Sequence, residues 1–162
     1  MGLTPTIVRT ISDTYVSSKY TTKNMASNER IYIDAVSGAT DRAFLYFALP
    51  FPRGVQILSA KLHMWNGYDQ TASRTLTAQR IATSWSGSRV TWANQPGVTG
   101  ASATVTKATA PRGTEWVLDV TALLQTVSNG ATWYGLRIVS NGTTPNWFFS
   151  TQSRSTSLRP YL

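Results

Sequence analysis

The chain of 162 residues has no cysteine, a single histidine and seven acidic residues. Without cysteine, neither a disulfide framework nor a thiolate metal site can form. A zinc site would have to rely on His63 and scattered carboxylates, which is an unfavourable ligand set. Asp34 and Asp41 are the candidates for calcium, but no dense Asp, Asn and Gly loop accompanies them. We therefore predict no metal and no other cofactor.

Long apolar stretches are also absent. No run of about 18 apolar residues occurs, so no membrane-spanning helix and no membrane insertion are predicted. The start, Met1–Thr6, lacks the basic segment and apolar core of a secretory signal peptide. We expect either a protein that acts without that export route or a piece of a longer chain, one that continues past Leu162.

The usual signs of catalysis are missing. No G-x-S-x-G nucleophile turn occurs, and the seven carboxylates stand singly along the chain rather than in pairs. His63 has no acidic neighbour in sequence that would position it as a general base, so a solvated surface histidine is favoured. Asp119 is placed to cap a helix. We predict that the protein is not an enzyme.

Positive charge exceeds negative charge, with 15 Lys and Arg residues and a net charge of +8. The basic residues are scattered, whereas a nucleic-acid surface combines clustered Lys and Arg with stacking aromatics. We predict no specific nucleic acid partner. An acidic glycan fits the charge equally well, and a charge that serves only solubility is the alternative.

Thr, Ser, Tyr and Trp are abundant, and short apolar runs alternate with Gly, Asn, Ser and Pro, which is typical of β-strands and turns. We predict one all-β domain over residues 1–162, a jelly-roll-like antiparallel β-sandwich with one short helix. The predicted strands are Thr6–Ile11, Tyr15–Ser17, Arg30–Ala35, Ala43–Leu49, Gln56–Trp65, Thr75–Ala82, Ser102–Lys107, Trp116–Val120, Tyr134–Val139, Trp147–Ser150 and Leu158–Leu162. The helix lies within Asp119–Gly130, with Asp119 or Thr121 as N-cap and Gly130 just past its end.

Two strands and one connection carry further information. Ala43–Leu49 is apolar on both faces, which predicts a central strand covered on both sides. Arg80–Pro96 holds Trp85 and Trp92 among small polar residues, which predicts a long connection that its Trp rings pin onto a core. Gln56–Trp65 alternates, with Leu58, Ala60, Leu62 and Met64 predicted to face the core and Ile57, Ser59, Lys61, His63 and Trp65 to face outward.

Aromatic residues on outward faces or beside turns are candidates for sugar binding, because a pyranose has an apolar C–H face and a polar rim. Nearby cations would favour an anionic sugar. Trp85, Trp92 and Trp116 are predicted to fill the core instead, and for Trp65 core and surface remain open. The candidate glycan-binding residues are Lys61, His63, Trp65, Tyr68, Arg80, Trp133, Arg137 and Trp147.

An ordered set of motifs over nearly the whole chain resembles a DNRLRE domain. The matching segments are Ser12–Tyr15, Phe44–Pro50, Ile57–Leu62, Ser84-Trp85, Val90–Pro96, Trp116–Leu124, Tyr134–Leu136, Phe149–Thr151 and Leu158–Leu162. The tract that names the family is replaced here by Asp41–Pro50. The resemblance implies a β-sandwich from large secreted, cell-surface or phage proteins, some of which bind acidic polysaccharides while others are spacers.

An extracellular type of domain without a signal peptide predicts a bacteriophage virion component, because phage particles assemble inside the cell and meet the outside after lysis. We expect a non-enzymatic tail, fibre or head-decoration protein at the virion surface. Its predicted partners are other virion proteins, in a symmetric assembly, and acidic or host-surface glycans. The alternative is a carbohydrate-binding module cut from a secreted polysaccharide-degrading enzyme.

Overall fold

The computed structural model describes residues 5–162, in which nine strands, one α-helix and one 3₁₀ helix occur. Residues 1–4, which belong to the segment read for signal-peptide features, lie outside the described residues. The elements are β1 Thr10–Ser17, β2 Arg30–Tyr32, β3 Asp41–Phe47, β4 Lys61–Trp65, β5 Arg74–Ile81, β6 Val98–Lys107, β7 Glu115–Asp119, α1 Thr121–Ser128, β8 Leu136–Ser140, β9 Trp147–Phe149 and the 3₁₀ helix Thr156–Leu158.

The strands form two antiparallel layers. Five strands make one sheet in the order β1-β3-β8-β5-β6. The other layer consists of the ladders β2-β9 and β4-β7, which a bridge between Asn66 and Phe148 connects. Tyr161 bridges to His63 at the edge of β4 opposite β7. The molecule is therefore an all-β, jelly-roll-like sandwich with one short helix, as the sequence predicts.

The main core lies between the two layers. Alternate residues of the five-stranded sheet point into it, among them Leu45 and Phe47, and from the other layer Met64, Trp116 and Phe148 meet them. All five are fully buried. Apolar burial of this extent is the dominant favourable term in folding, so the sandwich depends on this interface.

Strand β3 is buried on both faces, as predicted. Ala43 and Leu45 face the main core, and Phe44 between them faces the opposite way into a second, smaller core. The connection between β5 and β6 covers this second core: Val90 is buried there, and the Trp85 indole packs beside Phe44 and donates its Nε1–H to the Tyr134 carbonyl at 2.6 Å. The prediction of a Trp-anchored connection is confirmed.

The segment before β4 differs from its prediction. Strand β4 begins at Lys61, Leu58 is 65% exposed, and Ile57 packs against the main core. The predicted core position of Leu58 and outward position of Ile57 are therefore wrong. Two side chains of α1 explain the change, because Gln125 accepts the Ile57 N–H and Thr121 accepts the Ala60 N–H. Backbone groups bonded to a helix cannot join a ladder, so the alternation stops there.

The two chain ends also differ. The predicted strand Thr6–Ile11 is wrong over residues 6–9, and its last two residues begin strand β1, which also contains the predicted Tyr15–Ser17 and has a register shift between Thr10 and Ser12. Leu158–Leu162 is not a strand: it starts in the 3₁₀ helix and pairs through bridges at Tyr161 and through backbone hydrogen bonds between Leu162 and Val8.

Helix α1 occurs where it is predicted, and its apolar stripe of Leu123, Leu124 and Val127 is buried. The N-cap position falls on Val120 rather than on Asp119 or Thr121. Asp119 nevertheless accepts the first helical N–H, that of Thr121, at 3.0 Å. Gly130 follows the C-cap Asn129 with a φ of 116°, a left-handed conformation that glycine adopts without strain.

Truncating Leu58 and Leu62 distinguishes the observed start of β4 from a strand over Gln56–Trp65. Leu62→Ala removes a fully buried side chain and should lower the free energy of unfolding by about 2–5 kcal/mol. Leu58→Ala should change it by about 0.5 kcal/mol or less. Urea unfolding of both variants measures the difference, and equal losses would contradict the exposed position of Leu58.

Candidate functional site

The outer face of β4 presents side chains to solvent. Leu62 and Met64 are fully buried, so the alternating residues Lys61, His63 and Trp65 point away from the core. This is the orientation predicted from the period-two pattern, and the open question of Trp65 is answered, since its ring belongs to the outer face.

Three rings form a strip on this face. The His63 and Tyr161 rings lie 4.6 Å apart with an angle of 12° between their planes, so they are nearly parallel. Trp65 lies 5.7 Å from Tyr161 and 6.4 Å from His63. Two backbone hydrogen bonds between His63 and Tyr161 fix this arrangement. We call His63, Trp65 and Tyr161 the aromatic strip.

Charged groups surround the aromatic strip. The His63 Nδ1 lies 2.6 Å from the carboxylate of Glu115 on β7, a residue that is paired with Trp65 across the ladder. The Arg9 guanidinium lies 5.6 Å from the centre of the Tyr161 ring. Lys61 is exposed at the start of β4. The strip therefore combines aromatic rings with hydrogen-bonding groups of both charges along its edge.

A cleft of about 430 Å³ opens next to the strip, and Arg9 borders both. We call it the hydroxyl cleft, because most of the side chains along it are alcohols. Arg159 borders it as well and donates its Nε and Nη2 protons to the Ser153 carbonyl, and its Nη1 has no hydrogen-bond partner among residues 5–162. The lining residues are Arg9, Thr10, Thr151, Thr156, Ser157, Arg159 and Pro160.

A buried carboxylate holds the wall of the hydroxyl cleft. Asp13 accepts the Thr151 backbone N–H at 2.7 Å and the Thr151 hydroxyl at 2.9 Å. Burial raises the pKa of Asp13 from 3.8 to about 6, although the Thr151 bonds and the Arg159 charge act in the opposite direction. The position of Thr151 is thus tied to a group that titrates in a mildly acidic range.

Five candidate residues remain, of which two lie near the strip in sequence or in the same layer and three lie elsewhere. Trp147 and Tyr68 belong to the same layer as the strip: the Trp147 ring covers Gly67, where any Cβ would collide with it, and the Arg30 guanidinium lies 4.7 Å above that ring. Tyr68 is exposed.

The other three candidates lie elsewhere. Arg80 is 7% exposed and donates to the Thr132 carbonyl. Trp133 packs against the main core and donates its indole N–H to the Phe47 carbonyl at 2.7 Å. Arg137 lies on the outer face of the five-stranded sheet. The structure therefore brings together Lys61, His63 and Trp65, and it separates them from these three.

Sequence reasoning missed Tyr161 and Arg9 as members of the site. Both are brought to His63 by bridges between residues about 100 or more positions apart in sequence, so no local pattern contains them. The stacking of a carboxyl-terminal tyrosine on β4 becomes visible only once the layers are assembled.

Among residues 5–162, no helix has the length and apolar character needed to cross a membrane. Within the same range, no three His, Asp or Glu side chains gather closely enough to hold a metal ion.

The model of one family, carbohydrate-binding module family 96, matches residues 4–162. The chain belongs to carbohydrate-binding module family 96. None of the curated proteins matches it. Carbohydrate binding, which the sequence predicts from outward-facing aromatic residues and from a family resemblance, is confirmed at the level of the family. The rings of the aromatic strip in this family 96 module are partly exposed, and aromatic rings are the groups on which a sugar stacks.

The raised pKa of Asp13 gives the module a pH-dependent stability. A carboxyl whose pKa is higher in the folded state favours folding below its unfolded pKa, and that contribution is lost as the pH rises through about 6. Asp13→Asn keeps an acceptor for the Thr151 N–H but cannot ionise. As the pH rises from about 4 to about 7, we expect the free energy of unfolding of the variant to increase relative to that of the wild type by about 2–3 kcal/mol. Urea unfolding across this range measures the gap, and a gap that does not change with pH would contradict the role of Asp13.

Proposed function

We propose that the module binds a glycan by stacking a pyranose ring on the aromatic strip and by contacting neighbouring sugars from the hydroxyl cleft. The observation that carries this proposal is the group of three partly exposed rings on the outer face of the second layer, in which Trp65 lies beside the stacked pair of His63 and Tyr161. Flat rings bury the apolar C–H face of a sugar, while polar groups beside them satisfy its hydroxyls.

The groups around the strip support a preference for acidic glycans. Arg9 borders both the strip and the hydroxyl cleft, and Arg159 lines the cleft with an Nη1 that bonds to nothing within the described range 5–162. A guanidinium pairs with a carboxylate through two parallel hydrogen bonds, which a neutral sugar cannot accept in the same way. The threonine and serine hydroxyls of the cleft suit the sugar hydroxyls between charged groups.

The open shape of the strip favours weak binding at a single site. A shallow face immobilises a sugar through few contacts, so repetition of the module would be needed for firm attachment, because linked sites act at a high effective concentration. This supports the extracellular setting predicted from the sequence, a bacteriophage virion on which copies of the module repeat around a symmetric particle. A module joined to a secreted polysaccharide-degrading enzyme is the alternative setting, since such an enzyme also gains from attachment to its polymer.

The two settings predict different companions. Mass spectrometry of purified phage particles that contain the chain would support the virion setting, together with the other virion proteins as partners. Recovery of the chain from culture supernatant, covalently continuous with a polysaccharide-degrading enzyme, would support the alternative and contradict the virion.

A glycan array at low and at moderate salt tests the ligand class. We expect acidic polysaccharides to bind in both conditions, because stacking on the strip is insensitive to salt, while their affinity falls as salt screens Arg9 and Arg159. If binding disappears completely at moderate salt, the interaction is a non-specific effect of the net charge of +8 and the aromatic strip does not contribute to it. Absence of binding to any glycan at either salt concentration would contradict the proposed function.

Removing the largest ring of the strip tests the site. Trp65→Ala should weaken glycan binding by about tenfold or more, in line with the loss of a central aromatic contact. Because Trp65 points outward, the free energy of unfolding should fall by about 1 kcal/mol or less. Tyr20→Ala is the matched control, since it removes an exposed ring that lies just after the end of β1 and is not part of the strip. Titration calorimetry and urea unfolding measure the two quantities, and equal affinity of both variants would argue against the strip.

A further inference from the structure

The outer face of the five-stranded sheet, on the opposite side of the molecule from the aromatic strip, carries two arginines on neighbouring strands. Arg42 lies on β3 and Arg137 on β8, where Arg137 is paired with Phe44. Phe44 and Arg42 are two positions apart on β3, so all three side chains belong to this face. The β5–β6 connection borders the pair, and the Arg42 guanidinium lies 4.4 Å from the Trp92 ring.

Each guanidinium makes one side-chain hydrogen bond to an amide. Arg42 Nη1 donates to Gln95 Oε1 at 3.1 Å, and Arg137 Nη2 donates to Gln79 Oε1 at 3.2 Å. The Nε of Arg137 is buried, and no described residue of the chain accepts a hydrogen bond from it. An arginine has five N–H donors, so most of the donor capacity of this pair is unused.

No carboxylate of the chain neutralises the pair. Within residues 5–162 the two ion pairs are His63–Glu115 and Arg154–Glu29, so neither Arg42 nor Arg137 lies within 4.0 Å of an acidic group. Burial lowers the pKa of Arg42, and burial followed by the charge of Arg42 lowers the pKa of Arg137. Partly buried like charges without a counter-charge are costly, and a bound anion would offset that cost.

We propose that Arg42 and Arg137 form a second binding site, which takes the carboxylate of an acidic sugar residue. The paired guanidinium forks match the two oxygens of a carboxylate, and the amides of Gln79 and Gln95 on either side suit the hydroxyls of the same sugar. Trp92 forms a wall beside Arg42. The inference rests on the proposed function for the nature of the ligand, but it adds a site that shares no residue with the strip.

A second site on the opposite sheet changes what one module can do. The strip and the arginine pair are on the outer faces of different layers, so one stretch of a glycan chain cannot lie on both. A single module is therefore able to hold two chains, or two distant parts of one chain, and to cross-link an acidic polysaccharide.

Titration calorimetry with a short oligouronate and its carboxyl-reduced counterpart tests the site. Arg137→Gln should weaken binding of the oligouronate by about tenfold at the second site and leave binding of the reduced oligomer unchanged. Arg53→Gln is the matched control, because it removes one positive charge from an exposed loop. Arg42→Lys keeps the charge but loses the fork, so it also should weaken oligouronate binding, with little risk to the packing at Trp92.

The outcomes separate this inference from the proposed function. If Arg137→Gln and Arg42→Lys bind like Arg53→Gln while Trp65→Ala loses affinity, the second site is overturned and the strip stands. If wild-type protein binds neither oligomer, both proposals fail. If single-stranded DNA competes with the oligouronate for the arginine pair at equal affinity, the site is a general anion site and the assignment to an acidic sugar is overturned.

Cross-linking gives an independent readout. Wild-type module mixed with a long acidic polysaccharide should raise light scattering as chains are bridged, and Arg53→Gln should do the same. Arg137→Gln and Trp65→Ala should each reduce the rise at the same protein concentration, because each weakens binding at one of the two faces. Scattering that is undiminished in Arg137→Gln would contradict a two-sided module.

Discussion

The burial of β3 on both faces is the constraint on which the rest of the molecule depends. Phe44 and Leu45 are neighbours in sequence, yet they point into different cores, and both are fully buried. The main core packs the second layer against the five-stranded sheet. The smaller core packs the β5–β6 connection against the outer face of that sheet. Each proposed binding surface stands on one of these attachments, the strip on the second layer and the arginine pair beside the connection.

The positive charge of the chain is distributed in an unusual manner. Several cations lie against aromatic rings rather than against carboxylates, as Arg9 does on Tyr161, Arg30 on Trp147 and Arg42 on Trp92. A carboxylate partner would neutralise the positive charge, whereas a neutral aromatic ring positions the guanidinium without neutralising it. With few acidic residues in the chain, these ordered cations remain able to attract an anionic polymer.

Much of this arrangement can be predicted from the sequence where the signal is local. The alternation that places Lys61, His63 and Trp65 outward, the two-sided burial of β3 and the Trp-anchored connection each follow from a short pattern and are present. Leu58 fails because α1, about 65 residues later in the chain, withdraws backbone groups from the ladder. Tyr161, Arg9 and the approach of Arg42 to Arg137 depend on the pairing of distant segments, for which a period-two pattern has no information.

The two ends of the described chain lie side by side, since Val8 and Leu162 exchange backbone hydrogen bonds of 2.8 and 2.9 Å next to the bridge between Arg9 and Tyr161. In this antiparallel arrangement, a pull on the two ends acts across the hydrogen bonds and opens them one after another. The first ring to move would be Tyr161, which stacks on His63. Mechanical tension on the domain would therefore reach the aromatic strip before it reached the core. Tyr161 would then belong both to the proposed binding surface and to the segment that a pulling force displaces first.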